Sequence, residues 1–357
     1  MAAGGRPWGA MPTFPFSPFD KIAERPDQWG ADEGALRRLA RMPWVVTEKI
    51  HGANFCVAID GQGVHAAKRK RWLDPQEDFF GHRRLLTRLQ GALLALASEA
   101  RQGREQVAAV LVYGELFGGA YPHPQVAPVP GVEPVQTGVW YTPEIALSIF
   151  DVALVIEGKK YPEFLDMDRI LALARASGLL ASEPLLVGSY RDALDFPERF
   201  SSTLPARLGL PPLPQANLAE GVVLRPRSAV VLDGPKGPLR PLLKKKIAEF
   251  AEDERYAGAR PWAPPAATGE PLLDRIEREA LLLVTPARLD AARSKVGPSR
   301  DEAGRRLVVE EALTDLWEEL SVRLPAELAQ LDAEERALLQ ELLRQRLSSP
   351  PPPSDRR

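Results

Sequence analysis

Lys49 ends an apolar, β-branched stretch, Trp44-Val45-Val46, and is followed two and three residues later by His51 and Gly52. A glycine at that spacing lets the backbone turn sharply and approach a ligand, which a residue with a Cβ cannot do as cheaply. A lysine amine held in such a turn is poised as a nucleophile when its surroundings keep it neutral. A surface lysine before an ordinary hairpin turn has the same local residues. The weight therefore falls on what else the chain supplies.

Four further segments supply the groups such a nucleophile needs. Ala67-Lys68-Arg69 offers a fixed cation soon after the strand that follows Lys49, and Val112-Tyr113-Gly114-Glu115-Leu116 closes an apolar strand with a carboxylate. In Ser148-Ile149-Phe150-Asp151-Val152, strand alternation puts a ring and a carboxylate on opposite faces. Ala219-Glu220-Gly221-Val222 adds a carboxylate, and Leu243-Lys244-Lys245-Lys246 adds two cations on one face. This is the inventory for nucleotidyl transfer. A lysine attacks an α-phosphate, an aromatic ring stacks on a purine, and a carboxylate accepts from ribose hydroxyls. Another carboxylate positions a divalent metal, and cations neutralise the phosphates. The same cations are expected to disfavour the charged form of Lys49. Singly, Glu115 reads as an edge-strand carboxylate and Phe150 as core. Their joint occurrence, in order and at strand ends, is what those readings leave unexplained.

The elements that must position these groups are short strands between Gly/Pro turns, from about Trp44 to Phe250. Phe55–Asp60, Ala109–Leu116, Ala146–Val155 and Gly221–Leu224 have strand character. Helices are expected at Glu33–Arg41, Phe80–Glu99 and Asp166–Ala176, and the Pro/Gly-rich stretch Gly118–Pro143 reads as a long loop. Arg260–Pro271 has a linker composition. Leu272–Leu347 reads as almost pure helix, broken at Gly297-Pro298 and restarted at Pro325. The expected domains are 1–255, a linker 256–271, an all-α domain 272–347 and a Pro-rich disordered tail 348–357.

Composition limits the alternatives. The chain has 357 residues, 45% hydrophobic and 26% charged, as in soluble globular proteins. No apolar run approaches the roughly 20 residues of a membrane span. The N-terminus lacks the apolar core of a secretory signal. The single cysteine, Cys56, excludes intramolecular disulfides and cysteine metal clusters and reads as a small buried hydrophobe. A cytoplasmic protein is expected. The net charge of -2 does not advertise a nucleic-acid binder, yet Lys68-Arg69-Lys70-Arg71, Arg83-Arg84 and Arg88 form one basic cluster and Lys244–Lys246 another. Flanking a nucleotide site, they would make a local anion-binding surface.

Glu48-Lys49-Ile50-His51-Gly52-Ala53-Asn54-Phe55 resembles the first motif of the RNA ligase 2-like branch of the covalent nucleotidyltransferases. DNA ligases and capping enzymes carry aspartate where His51 stands. Arg69, Gly114-Glu115, Phe150-Asp151, Glu220-Gly221 and Lys244 with Lys246 look like the remaining motifs in family order. The resemblance covers roughly Phe16 to Glu252. A weaker echo of the helical C-terminal domain of phage-type RNA ligase 2 runs through Thr285–Leu289 and Ser294–Gly297. It implies an α+β fold: a nucleotidyltransferase domain of mixed or antiparallel sheets with flanking helices, then the smaller all-α domain. It also implies that ATP adenylylates Lys49 with Mg²⁺ or Mn²⁺ present, and that RNA 3′-OH and 5′-phosphate ends are joined, as in RNA repair.

By the same resemblance, Glu48 and Ile50 contact adenine largely through backbone, and His51 belongs to the nucleotide-binding set. Asn54 and Arg69 act at the phosphate end, Glu115 binds ribose and Phe150 stacks on adenine. Glu220 holds the metal, and Lys244 and Lys246 bind phosphates. Ala53 replaces a common hydroxyl residue, and the four-residue basic run leaves Arg69 and Arg71 as alternative registers. Capping guanylyltransferases and DNA ligases usually append a β-barrel after the last motif, where this chain is helical. A non-catalytic relative would have lost Lys49 or Glu220. In the helical region Arg288, Arg293 and Lys295 are cations able to grip RNA phosphates.

Overall fold

Period-two patterning in the chain around Lys49 produces strands, and their two faces have separate tasks. The computed structural model describes Pro12 and residues 14–74, 76–234, 237–250, 272–298 and 301–349. The chain forms two units, Met1–Lys245 and Lys246–Arg357. The domain boundary expected at 255, the linker 256–271 and most of the tail lie outside the described residues.

The first part of the chain carries α1 (Glu33–Ala40), β1 (Trp44–Lys49), β2 (Ala53–Asp60), β3 (Val64–Lys68), β4 (Arg71–Trp72) and α2 (His82–Arg101). Then come β5 (Val107–Ala120), β6 (Thr142–Ile156), β7 (Glu163–Phe164), α3 (Met167–Ser177), β8 (Pro184–Gly188), α4 (Tyr190–Asp195) and α5 (Leu204–Arg207). β9 (Gly221–Pro226), β10 (Leu232–Gly234), β11 (Gly237–Leu239) and β12 (Leu243–Lys246) follow. One sheet has six strands in the order β4-β3-β2-β5-β6-β7, antiparallel throughout. A second has the order β12-β9-β1-β8, with β1 antiparallel to both neighbours, and β10–β11 is a separate hairpin. The expected α+β architecture is present. The expected loop 118–143 is shorter, because β5 continues through Gly118 and Gly119 (φ 91° and 96°) to Ala120 and β6 starts at Thr142.

In β2, Phe55, Val57 and Ile59 face the helices and pack with Leu86, Leu93 and Leu96 of α2 and Ile170 and Leu173 of α3. The α2 leucines recur every three to four residues, so one stripe of the helix covers the sheet. Cys56 and Ala58 take the opposite face with Tyr113 and Ala153, against Phe14, Phe16 and Phe19 of the N-terminal segment. Burial pushes the Cys56 thiol well above its usual range, as expected of a packing residue.

Alternation fails at one candidate site position. Ile149 pairs with Gly114 and Asp151 with Tyr113, so Phe150 is an extra, bulged residue. Leu147, Ile149, Val152 and Leu154 all join the helix-covered core. Phe150 and Asp151 therefore share the other face, instead of the opposite faces a regular strand would give them. The bulge resets the alternation.

From Leu272 on, the described part of the second unit is helical: α6 (Leu272–Leu281), α7 (Pro286–Val296), α8 (Glu302–Arg323), α9 (Pro325–Leu328) and α10 (Ala333–Ser348). Ile276, Ala292, Leu316, Leu320 and Leu343 are among its core. The break at Gly297-Pro298 and the restart at Pro325 fall where expected. Two of the three expected phosphate-gripping cations do not stand ready for RNA. Arg288 is 1% exposed and donates to the Leu283 carbonyl (2.8 Å) and to Glu319 (2.6 Å). Lys295 is paired with Glu311 and Asp315, whereas Arg293 is exposed beside Asp290. No helix among the described residues is long and apolar enough to cross a membrane.

Candidate active site

Strand register brings the two motif ends together. Lys49, last in β1, pairs with Gly221, first in β9, so Glu220 lies beside the lysine. The Lys49 amine donates to Glu220 Oε2 at 2.7 Å, and His51 Nδ1 lies 3.4 Å from the same oxygen. Gly221 has φ 149°, outside the range a side chain favours, and this lets the chain turn from Glu220 into β9.

The turn after Lys49 is pressed onto β5. A Cβ on Gly52 would sit 2.2 Å from the Leu116 carbonyl oxygen and 2.9 Å from Glu115 Cγ. The Gly52 N–H donates to the Glu115 carboxylate, and the His51 N–H donates to the Tyr141 hydroxyl at 2.8 Å. Tyr141 is 1% exposed, and burial holds its phenol far above the usual range, so it stays neutral.

Asn54 pairs with Glu115, which pairs with Ser148 on β6. Alternation from Cys56 and Tyr113 puts Asn54 and Glu115 on the face that Phe150 also occupies. Burial pushes the Glu115 carboxyl up to about 7. The nearby Glu220 adds to this, and Lys49, Arg69 and the Gly52 N–H oppose it. Arg69 is thus within electrostatic reach of Glu115, while Arg71 is committed to Glu77 at 2.8 Å.

Phe150 meets Phe19 edge-on at 4.9 Å between centroids. Arg225 donates to the Phe150 carbonyl at 3.2 Å and to Asp151 at 2.9 Å, and Asp151 also accepts from Arg240 at 2.7 Å. Arg240 continues to Asp20 at 2.7 Å and stacks over Phe19 and Phe164. The bulge that aims Phe150 is held from behind by these buried ion pairs.

Glu48 turns its carboxylate away from Lys49 and accepts from Ser202 Oγ (2.6 Å), Thr203 N (2.8 Å) and Thr203 Oγ1 (2.7 Å). Its side chain is thereby committed within the protein. Glu48 and Ile50 line a cleft with Ser182, Thr203, Leu204 and Arg207. On β12, Lys244 pairs with Glu24 at 3.2 Å. Lys246 lies two residues on, and Lys245 between them donates to the Leu194 and Phe196 carbonyls. Tyr141, Ser202, Thr203, Arg225 and Arg240 are the site supports that motif spacing did not reveal.

Among the described residues, no three His, Cys, Asp or Glu side chains form a cluster able to hold a metal ion. A divalent cation at Glu220 would take most of its oxygen ligands from water and substrate phosphates, the usual mode for Mg²⁺. A single buried carboxylate such as Glu220, 4% exposed, fits that mode.

The RNA ligase family model matches residues 42–246, more than half of the chain. The mitochondrial RNA-editing ligase 1 of Trypanosoma brucei brucei is 32% identical over 241 residues, covering 59% of this chain and 50% of that protein. RNA-editing ligase 2 of the same organism is 33% identical over 239 residues, covering 61% and 57%. The chain spans about half the length of these curated relatives. Among solved structures, a Naegleria gruberi RNA ligase with AMP and Mn aligns over 68% of this chain and 59% of its own, at 14% identity and a TM-score of 0.40. The same ligase with ATP and Mn aligns at 13% identity and a TM-score of 0.40. With motifs, register and family model agreeing over the same residues, the chain belongs to the RNA ligase family.

Proposed function

We propose that this chain is an ATP-dependent RNA ligase that joins RNA 3′-OH and 5′-phosphate ends in RNA repair, with Lys49 as its nucleophile. The observation that carries this reading is the Lys49 amine at the end of β1, donating to Glu220 at 2.7 Å beside the Gly52–Glu115 contact. In the first step the amine leaves Glu220, loses a proton to solvent and attacks the α-phosphorus of ATP. An N–P bond forms, the bond to the β-phosphate oxygen breaks, and pyrophosphate leaves. The RNA 5′-phosphate then attacks the same phosphorus, which frees Lys49 and forms a phosphoanhydride. Finally the RNA 3′-hydroxyl gives its proton to solvent and its oxygen attacks the 5′-phosphorus; the phosphoanhydride bond breaks and AMP departs as the phosphodiester forms.

The side chains divide these tasks. The Glu48 and Ile50 backbone meets adenine, Phe150 stacks on it, and Glu115 accepts from a ribose hydroxyl. Asn54, Arg69, Lys244 and Lys246 bind phosphates, and Lys244 exchanges Glu24 for an anionic oxygen. When bound at Glu220, Mg²⁺ or Mn²⁺ offsets phosphate charge. Incubation with α-labelled ATP and Mg²⁺, followed by denaturing electrophoresis, should give a labelled protein band that chases into sealed 5′-phosphorylated RNA. An unlabelled band would overturn the reading.

A further inference from the structure

Residues 68–88 hold seven basic and three acidic residues, a net +4 in a chain whose total is -2. Their contacts bind them into one surface. Glu77 accepts from Lys68 at 2.9 Å and pairs with Arg71 at 2.8 Å, and its carbonyl accepts from Arg83 at 3.2 Å. Glu77 thus organises cations from the end of β3 and from β4 through its carboxylate, and one from the first turn of α2 through its backbone carbonyl. Lys68 lies over the Phe79 ring on the helix-covered side of the sheet. Its neighbour Arg69 is within reach of Glu115 on the nucleotide side. The β3–β4 turn therefore straddles the sheet edge and joins the phosphate end of the site to the start of α2. Lys70, Arg71, Arg83 and Arg84 are all exposed along that path.

We propose that the RNA strand bearing the 5′-phosphate leaves the site over the β3–β4 turn and runs along the start of α2, its phosphates held by Lys70, Arg71, Arg83 and Arg84. This rests on the ligase reading above and adds the path of the substrate. Backbone phosphates are a sequence-independent ligand for such a track. Glu77 offsets one of these charges and fixes the spacing of the others, and the segment keeps its net +4.

The test compares wild type with the Arg83→Ala/Arg84→Ala double variant and with Lys70→Ala, using a fluorescent 5′-phosphorylated oligoribonucleotide. Each variant should bind it more weakly, and the log–log salt slope should fall by about 0.7 for each single-strand phosphate that the variant no longer neutralises. Lysine–AMP formation should be unchanged. Arg83→Lys/Arg84→Lys should restore the slope, since a phosphate needs only a positive charge. On unmodified protein, RNA should protect Lys70 from amine acylation, while Lys160 by β7, at the other edge of the six-stranded sheet, stays reactive. An unchanged salt slope with Lys70 unprotected would overturn the path, whatever the state of the adduct. A wild-type protein that forms no lysine–AMP but shows the slope change and the protection would overturn the ligase reading and leave the track.

Discussion

Lys49 and Glu220, separated by most of the first unit in sequence, meet at 2.7 Å because β1 and β9 pair in the register Lys49↔Gly221. On the proposed reading, this pairing would make Glu220 a gate as well as a metal ligand. A nucleotide with its metal must draw the carboxylate away before the amine can attack. Lys49→Ala and Lys49→Arg should both abolish the lysine–AMP adduct, since arginine stays protonated. Glu220→Ala, Lys244→Ala and Lys246→Ala should each slow adenylylation roughly a hundredfold or more while the fold persists. Single-turnover labelling reads this directly. A full-strength adduct on Lys49→Ala, or near-wild-type rates for all three charge variants, would mean the site is misassigned.

Gly52 is fixed by space alone. The methyl of Gly52→Ala would enter within 2.2 Å of the Leu116 carbonyl, which belongs to a central strand and cannot move aside cheaply. The turn must then lift off β5, and Glu115 loses its Gly52 N–H donor. Stability should fall by about 1–3 kcal/mol, as for other overpacked sites. Adenylylation should fall more than stability accounts for. A variant with wild-type rate and melting temperature would show that the turn tolerates a side chain.

Much of this site was legible because its parts are local. An apolar β-branched run ending in Lys49, and strands ending in Glu115 and Glu220, need only period-two patterning and turn residues to be seen. The meeting of those ends depends on strand register, which no segment encodes alone. Phe150 and Asp151 show where local rules stop. Their shared face comes from a bulge opposite Gly114, where a Cβ would meet Leu147 Cδ1 at 2.7 Å and the Ser148 carbonyl at 2.8 Å. Tyr141 lies in the β5–β6 connection and Ser202 and Thr203 in the α4–α5 connection, and only tertiary folding brings them to β1. Arg288 looked like a surface cation because helical spacing does not reveal which charged residue is buried with a partner.

Glu115 gives the protein a pH signature. Its carboxyl is pushed from an ordinary 4.5 up to about 7, chiefly by burial. Between those values the folded protein holds a proton that the unfolded chain has released. Its contribution to stability is therefore largest below about 4.5 and declines as pH rises through about 7. Wild type should lose stability across that window relative to Glu115→Gln, which cannot titrate. The ionised form that would accept from ribose is complete only above about 7, so the KM for ATP should fall with rising pH in wild type and vary less in the variant. Parallel stability curves for the two proteins would remove Glu115 as the source.

Glu48 is expected to be structural through its side chain. Three donors from Ser202 and Thr203 converge on a carboxylate only 8% exposed, tying β1 to the segment entering α5. Hydrogen bonds to a charged group are worth about 1.5–3 kcal/mol each, and the loss is not additive. Glu48→Ala should lower unfolding free energy by about 3 kcal/mol in denaturant titrations, and Glu48→Gln by less. With the melting loss offset by low temperature, Glu48→Gln should still form the adduct. An adduct lost in Glu48→Gln at full stability would give the carboxylate a direct part in catalysis.

Every group assigned to nucleotide attack lies before Ile247, and helices α6–α10 carry none of them. A chain ended after Phe250 should still form lysine–AMP with ATP. Its sealing of 5′-phosphate RNA should fall if the helical unit contributes to RNA docking. Arg288 separates that role from simple folding. Its guanidinium is fully enclosed, spanning the Leu283 carbonyl and Glu319. Removing Arg288 takes this donor from the Leu283 carbonyl, at about 1–3 kcal/mol, while Glu319 keeps its pairing with Arg323. Arg288→Ala should therefore lower the melting of the helical unit and leave the salt slope of RNA binding unchanged at temperatures where that unit stays folded. Arg293→Ala, at an exposed cation, should leave melting unaltered and reduce the slope by at most the share of one phosphate. A reduced slope with unaltered melting in Arg288→Ala would return Arg288 to the RNA surface.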